Sequence, residues 1–194
     1  HLNMGGNDIT GVPRLSSQYN LADRRPWQTV NSVFRDVAAR GGGVVLLPGN
    51  TTQTAQTDDT GVTGFKVGSN TVYMGHGVSS VSGQLNVEGK SNIIVRNLSL
   101  DGNSIFSECD NLLFQNVDFV GTTGPSQLRL NNCRRVRVVN CNFTGSTSQA
   151  IDISNGFSDL RITGCYFNTW VDSAILLALR EGTAGLWIAD NVFA

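Results

Sequence analysis

Few residues in this chain combine a reactive type with a recurring position. Asp152 sits in the triplet Ile151-Asp152-Ile153, and Arg129 holds the matching place in Leu128-Arg129-Leu130. A carboxylate beside a guanidinium is either an acid with its pKa lowered by the cation or a plain surface ion pair worth ~0–1 kcal/mol. These two are the candidates for catalysis. Asp118, Asn142 and Tyr166 recur at one position of a longer pattern, and so do Arg137, Arg161 and Trp187. The first set reads as a solvated polar ladder or a sugar-binding strip. The second reads as packing against a subunit or loop, or as a ligand contact. A cation beside an indole can stack on its face, and Trp with Arg suits an acidic sugar. The apolar residues Ile94 and Leu113 hold the same position as Arg137, so they predict an exposed patch on that side.

Other reactive types are thinly spread. Asp58, Asp59, Glu108, Asp110, Asp172 and Glu181 fall in loops. No two or three carboxylates share a position, so neither a calcium cluster nor the paired acids of a hydrolase are visible. No metal and no cofactor is expected. Cys109, Cys133, Cys141 and Cys165 do not form Cys-x-x-Cys pairs, which argues against zinc. They read as buried thiols, with disulfides between neighbours as the alternative. A catalytic thiol would need a histidine, and only His1 and His76 exist.

The elements that position these residues are short and repeated. Only 15% of the 194 residues are charged, and the net charge is −1. Such a balance excludes a basic nucleic-acid surface and a polybasic membrane anchor. No apolar run approaches the ~18 residues of a membrane-spanning helix. The 22 glycines and the many asparagines recur between short apolar runs, which points to strands joined by tight turns. Five segments align, starting at Ile93, Leu112, Val136, Leu160 and Leu186. Positions one and three are aliphatic or aromatic, which alternation places on one inward face. Position five reads Asn97, Asn116, Asn140, Gly164, Asp190, residue types that tolerate a left-handed bend. Position eight reads Leu100, Phe119, Phe143, Phe167, Phe193, inward again after the bend. The triplets around Leu128, Ile151 and Ile175 supply a third strand per repeat. Three short strands per turn, stacked in register, make an all-β parallel β-helix with the phenylalanines as an interior ladder.

One helix precedes the repeats. Val30, Val33, Phe34, Val37 and Ala38 follow helical spacing, Pro26 suits the first turn, and Gly41-Gly42-Gly43 ends it. A helix over about 27–40 is placed to cap the open end of the coil. Arg40-Gly41-Gly42-Gly43-Val44-Val45-Leu46-Leu47-Pro48-Gly49 follows it, then Val67-Gly68-Ser69-Asn70-Thr71-Val72-Tyr73-Met74-Gly75-His76-Gly77 and Ser91-Asn92-Ile93-Ile94-Val95-Arg96-Asn97-Leu98. These stretches resemble the opening coils of the pectin-lyase-like superfamily, over roughly residues 26–194. The resemblance implies a right-handed, single-stranded parallel β-helix. It leaves the chemistry open, because that superfamily holds lyases, hydrolases, epimerases and non-catalytic spikes.

Leu2-Asn3-Met4-Gly5-Gly6-Asn7-Asp8-Ile9-Thr10-Gly11-Val12 resembles a short element of bacteriophage tail fibres and tailspikes. That resemblance implies a homotrimer in the phage tail, joined to other tail proteins and exposed to the host surface. The expected activity is recognition of a bacterial surface polysaccharide, without nucleic-acid partners or membrane insertion. A polysaccharide lyase or glycoside hydrolase is the second expectation, and a structural spacer of the virion the third. Residues 1–22 read as a linker or shaft-like segment and 23–194 as the β-helix domain. The chain starts without Met and stops in mid-pattern at Phe193-Ala194, so a fragment of a longer polypeptide is expected.

Overall fold

The computed structural model describes residues 18–20, 30–49, 51–54, 67–76, 79–122, 124–178 and 183–194. In chain order the elements are β1 (Gln18–Asn20), α1 (Val30–Ala39), β2 (Gly43–Leu47), β3 (Thr51–Thr54), β4 (Thr71–Gly75), β5 (Ser79–Ser82) and β6 (Leu85–Glu88). Then come β7 (Ser91–Asp101), β8 (Ser104–Ser107), β9 (Asp110–Thr122), β10 (Ser126–Val139), β11 (Asn142–Ser146) and β12 (Gln149–Thr163). The last are β13 (Tyr166–Asn168), β14 (Ser173–Leu177), β15 (Ala184–Ala189) and β16 (Val192–Phe193).

Every strand pairing is parallel, and the strands stack into three faces of a β-helix. Sheet 1 is β1-β2-β4-β7-β9-β10-β12-β15. Sheet 2 is β3-β5-β7-β9-β11-β13-β16. Sheet 3 is β6-β8-β10-β12-β14. The long strands β7, β9, β10 and β12 each turn a corner and serve two sheets. The repeat register holds throughout: Ile93, Leu112, Val136, Leu160 and Leu186 are successive partners. The early strand β1 lies within the expected linker segment and extends sheet 1 through Val44–Leu46. The phage-like motif at residues 2–12 lies outside the described residues.

Alternation decides what fills the interior. Positions one and three of the first four segments are almost fully buried, with Val95, Phe114, Val138 and Ile162 at 3% exposure or less. Each such side chain contributes roughly 1.5–3 kcal/mol by leaving water. After the bend, Phe119, Phe143, Phe167 and Phe193 stack face to face, with centroids 4.5, 4.9 and 4.9 Å apart. The bend has the predicted backbone. Asn97, Asn116, Asn140, Gly164 and Asp190 all have positive φ, between 51° and 65°. Asn116 donates from its side chain to Asn97 Oδ1 at 3.1 Å, so the amide ladder also ties coil to coil.

Helix α1 closes the first end. Val33, Phe34 and Val37 are buried, and the Phe34 ring lies 4.7 Å from Tyr73. Gly68 passes so close that a Cβ there would sit 2.5 Å from that of Ala38. The helix ends where Gly42 N–H bonds to the Val37 carbonyl and Gly41 takes φ +84°. One expectation is corrected here. Ile94 is 1% exposed, its register neighbour Val72 is 4% exposed, and Leu113 is half-buried. Val72 and Ile94 lie outside the interior cluster, so they are buried on the outer side of sheet 1 and form no exposed patch.

Candidate functional site

Sheet 2 presents two outward columns of mostly polar residues. One reads Ser80, Ser99, Asp118, Asn142, Tyr166, and the other Ser82, Asp101, Val120, Thr144, Asn168. Asp118 and Asn142 are exposed, and Asn142 donates to Asp118 Oδ1 at 2.6 Å. Tyr166 follows on the next strand, half-buried. The predicted polar strip therefore assembles on one face. Asp101 is exposed in the neighbouring column, and its Oδ2 accepts from Ser82 Oγ at 3.3 Å. Because Ser99 pairs with Asp118 and Asp101 with Val120, the two aspartates are diagonal neighbours. A strand spacing of ~4.8 Å and two residues of rise place their Cα atoms about 8 Å apart.

Beside this strip, at the corner leading to sheet 3, lies an open groove of about 490 Å³. Gln84, Asp101, Asn103 and Thr147 bring polar side chains to it, while Gly102, Gly121 and Gly145 bring none that could fill it. The glycines are demanded by backbone. Gly102 has φ +127°, and a Cβ there would lie 2.9 Å from the Gly83 carbonyl oxygen. Asp101 belongs both to the groove and to the strip. Sequence columns missed it, because its stacked neighbour is Val120 and no acid precedes or follows it in line.

Arg129 and Asp152 do meet, on sheet 3. Arg129 Nε lies 2.7 Å from Asp152 Oδ2, and Ser154 Oγ donates to the other oxygen at 2.8 Å. Asp152 is only 5% exposed despite its outward column. Both of its oxygens are engaged, and it stands on a different sheet from Asp101 and Asp118. The geometry is that of a half-buried structural pair.

Arg137, Arg161 and Trp187 are successive partners across sheet 1. The residue that organises them is Asp159, which the sequence columns did not single out. Arg137 donates to Asp159 Oδ2 at 2.8 Å and to its main-chain oxygen at 3.0 Å. Arg161 Nε reaches Asp159 Oδ1 at 3.4 Å. The Arg137 hydrogen bond, with the charges of Arg137 and Arg161, holds the Asp159 carboxyl below the usual carboxylate range. The expected stacking of Arg161 on Trp187 does not form, because the guanidinium turns to Asp159. Trp187 remains 61% exposed.

The remaining groups are structural. The four thiols are free and buried. They align in two pairs on consecutive coils, and burial pushes the Cys141 thiol up. His76 is exposed, and its main-chain N–H bonds to Leu47 O and Ser79 Oγ. Asp110 pairs with Arg135, and Asp172 accepts from Ser148 and Gln149. Asp58, Asp59, Glu181 and His1 lie outside the described residues. Among the described residues no group of three or more His, Cys, Asp or Glu side chains could hold a metal ion.

No protein-family model matches the chain, and no curated protein does. Among solved structures it is similar to a protein from Parabacteroides merdae described as a "putative glycosyl hydrolase". The TM-score is 0.66 and the identity 14%, over 91% of this chain and 97% of that one. At that identity the likeness is one of fold.

Proposed function

We propose that this chain is the glycan-engaging β-helix of a phage tailspike or tail fibre. In this reading three copies assemble in the tail, joined to other tail proteins, and adsorb to a bacterial surface polysaccharide. The observation that carries the glycan part is the groove beside the sheet 2 strip. Amide, carboxylate and hydroxyl groups line it, and its glycines leave room for an extended chain of sugar hydroxyls to approach the backbone. The similarity of fold to the Parabacteroides protein supports a polysaccharide-related role. The tail assignment rests on the motif at residues 2–12.

A second reading, hydrolysis of a glycosidic bond, is favoured by Asp101 and Asp118. Their Cα atoms stand about 8 Å apart on adjoining strands of one outward face. In an inverting glycosidase two carboxyl groups roughly 6.5–9.5 Å apart divide the work, one protonating the leaving oxygen and the other activating water. Asn142 fixes the orientation of Asp118.

Incubation with host polysaccharide separates the readings, with light scattering giving the native mass of the same sample. Retention of the polymer without fragments is the adhesin result. Release of oligosaccharides is the enzyme result, and Asp118→Asn is then expected to cut the rate by about 10²–10⁴-fold while binding persists. A sample that shows no retention and no release would overturn the glycan reading, and a monomeric mass would overturn the trimer.

A further inference from the structure

The outer face of sheet 1 concentrates positive charge that the groove does not use. Arg134 and Arg135 stand at the start of the face, and Arg137 and Arg161 on the adjoining strands. Two carboxylates meet these four guanidinium groups: Asp110 pairs with Arg135, and Asp159 with Arg137 and Arg161. The face therefore carries excess positive charge on a chain whose net charge is −1. The excess is unevenly committed. Arg137 makes two bonds to Asp159 and a third to the Val136 carbonyl. Arg161 is 55% exposed and reaches Asp159 through Nε alone. Its two terminal nitrogens have no hydrogen bond among the described residues, which leaves them able to donate to a ligand.

Trp187 is the next residue in this line and is exposed on the same face. The neighbouring strands set its Cα ~4.8 Å from that of Arg161. An indole offers an apolar plate to the C–H face of such a ring, and a guanidinium fork matches a carboxylate with two parallel hydrogen bonds. We propose that Arg161 and Trp187 form a subsite for an acidic saccharide, the ring lying on Trp187 and its carboxylate on Arg161. This rests on the glycan reading above and adds the ligand class. The groove, where Asp101 is the charged residue among the described lining, is a separate site on another sheet. Asp159 acts as the positioning residue, since its contact to Nε aims the fork.

Calorimetric titration of the whole chain tests the assignment, with a galacturonate oligomer and its carboxyl-reduced neutral counterpart as probes. The charged oligomer is expected to bind at least about tenfold tighter, as a charged hydrogen-bonded pair implies. Arg161→Gln should abolish that preference and Arg161→Lys should restore part of it, with unfolding temperatures unchanged. Trp187→Ala should weaken both oligomers. Asp101→Asn should leave the charge preference intact. Equal binding of the two oligomers to the wild type, or a preference that survives Arg161→Gln, would overturn this subsite while leaving the groove reading in place. A polyglutamate peptide binding as tightly as galacturonate would overturn the saccharide assignment. Binding of neither oligomer would overturn the subsite, and retention of host polysaccharide would then show whether the groove reading survives.

Discussion

Asp159 holds two arginines from consecutive strands, and its chemistry can be followed by titration. Its carboxyl is held below the ordinary range by Arg137, so it binds its proton less readily folded than unfolded. Its contribution is therefore present above the unfolded value and is lost as pH falls through the lower folded value. The side chain is 42% exposed, which screens the pairs to ~0–1 kcal/mol. Thermal unfolding of Asp159→Asn should run parallel to the wild type near neutral pH, slightly lower. The two curves should converge only in acid below the lowered folded value, where the wild-type carboxyl is protonated as well. A gap that stays constant across that range would contradict the assignment. The sequence concealed Asp159 for a physical reason. It stands at the corner inside β12, in a series of positive-φ residues that runs Asn92, Asn111, Arg135, Asp159. Arg135 interrupts the series of small polar types, so composition alone does not show it. Asp101 was concealed differently. Its partner Asp118 lies diagonally, one strand over and two residues back, and a reading by columns sees only aligned residues.

The strands themselves were largely legible. Inward positions are constrained on every coil by the same neighbours above and below, so the alignment of apolar residues and the alignment of strands are one pattern. The aromatic ladder shows how closely they agree. Phe143 is stacked on both faces, within 6° of parallel to Phe119 and Phe167, and is fully buried. Val120, the residue after Phe119, stands in an outward column and is 43% exposed. Replacing Phe143 by Ala removes a ring between two others and should cost about 3–5 kcal/mol in denaturant unfolding. Val120→Ala, on the outward side, should cost clearly less. Equal losses would mean that the ladder is not the unit of packing. The outer faces were less legible, because solvent, partner and ligand all tolerate polar residues. Ile94 illustrates the limit: alternation correctly sets it outward, and burial on that outer side could not be read from its own coil. Arg161 is similar, since its register with Trp187 was visible and its turn toward Asp159 was not.

At the scale of the whole molecule, the β-helix turns a linear repeat into three faces with separate characters. Sheet 1 carries the arginines and Trp187, sheet 2 the polar strip and the edge of the groove, and sheet 3 the half-buried Arg129–Asp152 pair. A stacked scaffold holds such faces rigidly, because every outward residue sits between two hydrogen-bonded neighbours. It also sets the ligand geometry: a groove crossing several coils fits an extended polymer better than a compact molecule. The sequence disclosed the scaffold through its core, and the faces only in part, because core positions answer to packing and surface positions to partners. The central claim is that the groove at the sheet 2 corner engages glycan. The most direct test is a crystal structure with an oligosaccharide cut from the host polysaccharide. Sugar density is expected over Gly102, Gly121 and Gly145, with hydroxyls bonded to Asp101, Asn103 or Thr147. Ordered sugar elsewhere on the molecule, with this groove holding only water, would contradict it.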